Sequence, residues 1–350
     1  MKKISIFKKP ITQYSLFMPI LCLFLVLIVN LIQTPHFFKI TIQNGVLYGY
    51  IIDILNRSSG LVILAVGMTL VVASSGGTDI SVGAVCALAG AVCVAALGTG
   101  ETYKMPYIAA VLLALLIGLI CGVFNGFLVS FMKVQPMVAT LILFTAGRGI
   151  AQLVTGSFIL YVKPKSFTYL GSFIPGVPIP TPCFVAAFVV ILTWLVLTKT
   201  SLGMYIQSVG INSKASFLVG LNSKVIIFLT YVFCGICAAI AGLISVSRTA
   251  SIDANNVGLY IELDAILAVA IGGNSLAGGK FSLAGSVIGA ITIQALTTTL
   301  YAMRVAADQL PLYKAIVVVA IVAIQSPVLR KWFKNLTLKL APGKPVKEAM

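Results

Sequence analysis

Charge is scarce in this chain: Asp, Glu, Lys and Arg together make up 9% of 350 residues, and only eight are acidic. A soluble domain carries about 25% charged residues, so a water-soluble fold is excluded. Histidine occurs once, at His36, and reads as a surface residue rather than a ligand. No acidic or histidine cluster stands near the seven cysteines, so no metal-binding residue is assigned. No nucleophile has a base and an orienting acid beside it, so no catalytic residue is assigned either. Gly278-Gly279-Lys280 comes nearest to a phosphate-binding loop. It fails because Asn274 stands where the pattern needs Gly and Phe281 where Ser or Thr would hold magnesium. The chain is therefore expected to bind no cofactor of its own.

What is abundant is apolar: 59% of the residues are hydrophobic. One helical span of a bilayer takes about 20 residues. Apolar blocks at 16–34, 59–75, 80–98, 106–131, 137–154, 182–198, 225–246, 262–276, 283–300 and 311–328 predict an all-α, polytopic membrane bundle of about ten helices. The blocks are apolar all round, as in Val111–Ile120, which argues against the alternating strands of a β-barrel. Ten spans place both termini on one side. With the N-terminus inside, fifteen of the 24 basic residues lie inside, eight outside and one, Arg148, within a span, so both termini are expected in the cytoplasm. This asymmetry also explains the net charge of +16 without nucleic acid as a partner, the cations flanking spans where anionic lipid favours them. The first block lacks a small-x-small cleavage site and reads as a retained helix. The whole chain, 1–350, is expected to be one transmembrane domain, with residues 1–15 and 329–350 as cytoplasmic tails.

Polar, glycine-rich breaks interrupt these blocks. Ser74-Ser75-Gly76-Gly77-Thr78-Asp79-Ile80-Ser81-Val82-Gly83 is one, and Ile271-Gly272-Gly273-Asn274-Ser275-Leu276-Ala277-Gly278-Gly279 is another. Both reach the same side, in the manner of an internal repeat. Irregular backbone at membrane depth survives only when it is buried in protein or lines water. Gly76, Gly77, Asp79, Ser81, Asn274 and Ser275 are therefore candidates to line a solute pathway. The alternative is a tight turn with Asp79 capping the next helix. Asn125 and Thr140 either line the pathway or join helices. Gly118, Gly122 and Gly126, at four-residue spacing, predict close helix packing. Arg148 falls within a span, where snorkelling is the cheaper account, and Glu262 and Asp264 are candidate caps for the eighth span. Cys234 and Cys237 share a helix face as small packing residues.

Two connections stand out. Residues 199–224 form the longest internal loop, read as one short helix bracketed by Gly203, Gly210 and Gly220 and suited to act as a lever against a soluble partner. Residues 155–181 carry Pro164, Pro175, Pro178 and Pro180 and read as a stiff external loop.

At these motifs the chain resembles the permeases of ribose-type ABC sugar importers. Gly76-Gly77-Thr78-Asp79-Ile80-Ser81-Val82-Gly83 is similar to that family's Gly-Gly-Ile-Asp-Leu-Ser-Val-Gly, Asn125-Gly126 follows, and Pro136-Met-Val-Ala-Thr-Leu141 continues to Gly147-Arg148-Gly149. Thr78 and Ile80 depart from the family's usual Ile and Leu, and Lys280 from its common Arg. Members importing galactofuranose are the most similar, on Pro35-His-Phe-Phe38, Ile52-Asp-Ile-Leu-Asn-Arg57, Val209-Gly-Ile-Asn212, Asp253-Ala-Asn-Asn256 and Glu262–Val269. The resemblance implies a transport subunit rather than an enzyme, with galactofuranose, a ribose-like sugar or another monosaccharide as solute. It implies an ABC ATPase subunit that consumes ATP and Mg, a second copy of the permease or a homologue, a periplasmic sugar-binding protein, and surrounding membrane lipid. The 199–224 loop, with Gly203, Gly210, Asn212, Ala215 and Gly220, would be the coupling loop seated in the ATPase. The rival classes are an ion-coupled transporter, which needs a titratable group in mid-span, and a membrane enzyme, whose residues are lacking.

Overall fold

The computed structural model describes residues 16–33, 37–43, 45–306 and 308–325; His36 and both expected tails lie outside them. The described chain is mainly helical. Its helices are α1 (Phe17–Gln33), α2 (Tyr50–Ser75), α3 (Val82–Leu97), α4 (Tyr107–Ser130), α5 (Pro136–Thr155), α6 (Thr181–Lys199), α7 (Leu202–Ile211), α8 (Ser213–Leu218), α9 (Ser223–Thr249), α10 (Ile261–Ile271), α11 (Leu283–Ala302) and α12 (Leu310–Gln325). Six of these, α2, α4, α5, α6, α9 and α11, are long and apolar enough to cross a membrane.

Every predicted apolar block contains a helix, with four differences. α2 begins at Tyr50 rather than residue 59, because the charges taken as a boundary are accommodated in the helix: Arg57 Nε pairs with Asp53 Oδ1 at 2.8 Å across one turn. α10 has only 11 residues instead of the 15 expected, since it starts on time but stops at Ile271, five residues early, where Gly272 caps it and Gly273 takes a left-handed conformation at φ 79°. The 199–224 loop holds two helices rather than one. Finally, two small antiparallel ladders, β1 (Thr41–Gln43) with β2 (Val46–Tyr48) and β3 (Leu160–Tyr161) with β4 (Ser251–Ile252), qualify the all-α expectation.

α2 is the central post: the described part of its apolar stretch is almost wholly buried, against α9, α11, α6 and α10. α4 lies against α9 backbone to backbone. A Cβ at Gly118 would come 2.5 Å from Gly235 O, and one at Gly122 would come 2.7 Å from Tyr231 O, so this seam tolerates only glycine. Cys234 and Cys237 pack in the same way on Gly67 of α2. In contrast, α4, α5 and α6 each leave most of their surface bare. In an apolar medium such faces need no cover.

Two ends can be told apart. At one, α7 lies beside the turns after α2 and α10, and α8 follows it against α9. At the other, the β3–β4 ribbon is joined by a Lys163–Glu101 ion pair of 2.6 Å and by Arg248, whose Nη2 donates to Asn56 O at 2.9 Å.

Candidate functional site

The break after α2 turns back into the bundle. Gly76 ends the helix in a left-handed conformation, φ 63°, its amide bonded to Val72 O at 3.0 Å. Gly77 lies against the Pro136 ring at the start of α5. The chain then climbs back along α2: Asp79 N reaches Met68 Sδ at 3.5 Å, about two turns above the helix end. α3 therefore starts inside the bundle, which is why it is only 16 residues long.

Four of the predicted site residues meet at that start. Asp79, 2% exposed, accepts the Ser81 amide (2.9 Å) and hydroxyl (2.6 Å) on Oδ1. Asn125, fully buried on α4, donates to Ser81 Oγ at 2.8 Å and more weakly to Asp79 Oδ1 at 3.4 Å. Thr140 on α5 accepts the Ile80 amide at 3.2 Å. Asp79 thus holds a turn of its own rather than capping α3, whose capping residue, Ser81, receives no side-chain cap bond. The cluster joins the break to α4 and α5 by hydrogen bonds among neutral groups around one carboxylate. Asn125 Oδ1 remains buried without a partner.

Asn274 sits elsewhere. Its amide donates to Val269 O (3.0 Å) and Ser286 Oγ (2.7 Å), and its Oδ1 accepts the Ser282 amide, so one side chain staples the turn between α10 and α11. Ser286 in turn accepts from Thr69 Oγ1 of α2 at 2.6 Å. Ser275 is exposed on this turn.

The two breaks and the 199–224 segment meet at a junction of glycines. Gly279 N donates to Ala73 O at 3.0 Å. A Cβ on Gly76 would come 2.8 Å from Ala277 O, and one on Gly278 would come 3.1 Å from Gly76 Cα and 3.2 Å from Gly210 O. Gly210 lies on Ala73 O, with 2.6 Å from its Cβ position to Gly279 N. Gly203 abuts Leu197 O of α6 in the same manner. These glycines lie inside α7 as contact points instead of bracketing one helix. Asn212 divides α7 from α8, its Oδ1 accepting the Lys214 (3.1 Å) and Ala215 (3.0 Å) amides as an N-cap. Ala215 is exposed, and Gly220 ends the segment at φ 88° with open space around it.

At the opposite end three expectations are corrected. Arg148 does not snorkel: its Nη1 donates to the carbonyls of Ala254 (3.1 Å), Asn255 (3.0 Å) and Val257 (3.2 Å). Glu262 and Asp264 do not cap α10. Glu262 is buried over Gly83, and Asp264 pairs with Lys314 Nζ of α12 at 2.8 Å. Asp253, outside the spans, has its carboxyl held below the usual range: slight burial raises it, but bonds from Asn256 Nδ2 (2.6 Å) and Asn255 N (2.9 Å) outweigh that. Nothing in the sequence marked these carbonyls as an arginine's partners, since backbone acceptors leave no trace in residue type.

Residues 50–325 match the family described as branched-chain amino acid transport system / permease component. The galactofuranose transporter permease YtfT of Escherichia coli is 46% identical over 309 residues, covering 88% of each chain. The fructose import permease FruF of Bifidobacterium longum is 40% identical over 85% of this chain and 83% of its own. The ribose import permease RbsC of E. coli is 36% identical over 86% and 91%. No solved structure matches.

Proposed function

The chain belongs to the branched-chain amino acid transport system / permease component family, and from that premise we propose that it is the permease subunit of an ATP-driven monosaccharide importer, with galactofuranose as its sugar. The observation that carries the reading is the near full-length likeness to three sugar permeases, strongest for the galactofuranose protein. The buried cluster around Asp79 suits the role. A polyhydroxylated solute needs exchangeable hydrogen-bond partners in a passage with little net charge, and Asp79, Ser81, Asn125 and Thr140 supply them beside a helix that starts within the bundle.

The α7–α8 end is the cytoplasmic one in this reading, and a multi-pass position in the bacterial inner membrane follows. The chain binds no nucleotide. ATP and magnesium belong to a separate ATPase subunit that contacts the exposed α8 around Ala215, while a periplasmic sugar-binding protein delivers solute at the ribbon end. A second permease, a copy or a homologue, covers part of the bare apolar surface and lipid the rest. Closure of the ATPase pushes α7–α8, and the glycine junction passes that motion directly to the breaks after α2 and α10, biasing a two-state equilibrium of the pathway. Gly76, Gly77, Asn274 and Ser275 act here as the hinge of the pathway.

Uptake of radiolabelled pentoses and hexoses, furanose forms included, by cells with and without the gene tests the assignment. Loss of ATP-dependent galactofuranose uptake alone is expected. Unchanged uptake of every sugar would refute it.

A further inference from the structure

α5 is tied to its surroundings by polar bonds at both ends. At the α7 end, Ile80 N donates to Thr140 Oγ1 and Gly77 rests on Pro136. At the ribbon end, Arg148 Nη1 holds three carbonyls of residues 254–257, and Gln152 Nε2 donates to Asn255 Oδ1. Between these ties α5 packs closely on α3, with Gly147 against Ala84, while Leu141, Ile142, Ile150 and Leu153 are exposed. A helix fastened at its ends and bare along one face can swing when one fastening opens.

The fastening at the ribbon end is only half satisfied. Nε and Nη2 of Arg148 are buried with no hydrogen-bond partner, and so is Oε2 of Glu262, a residue only 3% exposed. Both groups border the same stretch of backbone: Arg148 Nη1 holds Val257 O, while Gly258 O and Glu262 Oε2 both lie against Gly83. Yet the ion pairs among the described residues are Arg57–Asp53, Lys163–Glu101 and Lys314–Asp264, so no salt bridge joins Arg148 to Glu262. Unpaired donors and an unpaired carboxylate oxygen are each costly when buried, and one movement that brings them together removes both costs in exchange for the bonds of Nη1 to the loop carbonyls, so two arrangements compete. The guanidinium is a rigid plane, so turning its Nε–Nη2 edge onto Glu262 turns Nη1 away from the loop carbonyls.

We propose that Arg148 is a positioning residue for transport with two alternative partners: the 254–257 carbonyls, which keep the loop shut over the ribbon end of α5, and Glu262, which receives the guanidinium when the loop is released to admit solute. The inference rests on the reading of the chain as a permease, but its test needs no knowledge of the sugar. In a cysteine-free chain assembled with its ATPase in proteoliposomes, Asn256→Cys offers an exposed thiol on the loop to a membrane-impermeant maleimide and leaves the Gln152–Asn255 bond in place. Arg148→Gln should raise its labelling rate about tenfold or more. Glu262→Gln keeps the loop carbonyls and removes the alternative acceptor, so labelling should stay at or below the parent rate while maximal uptake falls at unchanged half-saturation by the binding protein. If the two variants shift labelling in the same direction, or neither shifts it, the proposal is wrong. Should Arg148→Gln fail to assemble, the Gln152→Cys/Asn255→Cys pair, which leaves Arg148 and Glu262 in place, decides the matter: an oxidised cross-link should stop uptake and a reductant restore it. Uptake continuing through the cross-link would overturn the proposal. Label kinetics that behave as expected in a chain that carries no galactofuranose would fault the sugar assignment alone.

Discussion

Replacing Gly210 by alanine puts one methyl group into the junction where α7, the end of α2 and the turn after α10 touch. That methyl would overlap Ala73 O and come 2.6 Å from Gly279 N. An ordinary van der Waals separation is about 3.5 Å, so the contact with Gly279 has to open by about 1 Å. Overpacking of this kind costs about 1–3 kcal/mol. In a helix interior alanine is favoured over glycine by about 1 kcal/mol, so α7 itself forms more readily and any loss of function must come from the junction. Borne by one of two transport states, 1–3 kcal/mol shifts their ratio by about 5–150-fold. The assay is ATP hydrolysis and sugar uptake by the same proteoliposomes, with and without binding protein. Basal hydrolysis should persist within about twofold, because the ATPase sites are on another subunit, while binding-protein-stimulated hydrolysis and uptake should each fall about fivefold or more. Gly149→Ala is the control: nothing lies within 4 Å of its Cβ position, so it should behave as the parent. Normal stimulation and uptake by Gly210→Ala would refute the idea that the glycines transmit motion.

Ala215→Glu places a charge on the exposed surface of α8 without disturbing the Asn212 cap, which binds backbone amides. It should leave the permease folded, by circular dichroism and gel filtration, yet uncouple hydrolysis from uptake. Asp79→Ala removes the acceptor of two Ser81 bonds and strands a buried amide at the entry to α3, a loss of about 1–3 kcal/mol. Thermal unfolding in detergent should register a clear fall in Tm, with Asp79→Asn losing less because it keeps an acceptor oxygen.

The helical framework was legible because bilayer thickness forces long apolar runs, and each run contains a helix. Its details were legible only where residue type fixes the partner. The Gly118-Gly122-Gly126 spacing pointed to the seam with α9 because close backbones exclude side chains. Asp79, Ser81, Asn125 and Thr140 could be chosen as polar residues in apolar surroundings, but not as a group, since their meeting depends on the chain turning back along α2 as far as Met68. The N-terminal turns of α2 were missed because Asp53 and Arg57 read as a boundary when considered singly and as a helical pair only once their four-residue spacing is used. Asn212 lies within what the glycine spacing predicts as a single helix, yet Asn is a favoured N-cap, and its side chain starts a second helix there. The role of Arg148 is not legible in the sequence, because its partners are carbonyls more than 100 positions away.

The seam between α4 and α9 also has a consequence in time. Gly122 and Gly235 are about 110 residues apart, so the face of α4 that later receives α9 is synthesised well before its partner exists. At about 5–20 residues per second the interval is roughly 5–20 s. For that period α4 has its neighbour α3 beside it, but its groove shaped for another backbone is empty of the α9 backbone that fills it. The newborn chain is then most exposed to mispairing with a small-faced helix of another protein, and substitutions that widen the groove should be felt as poor yield of assembled protein before they are felt as slow transport.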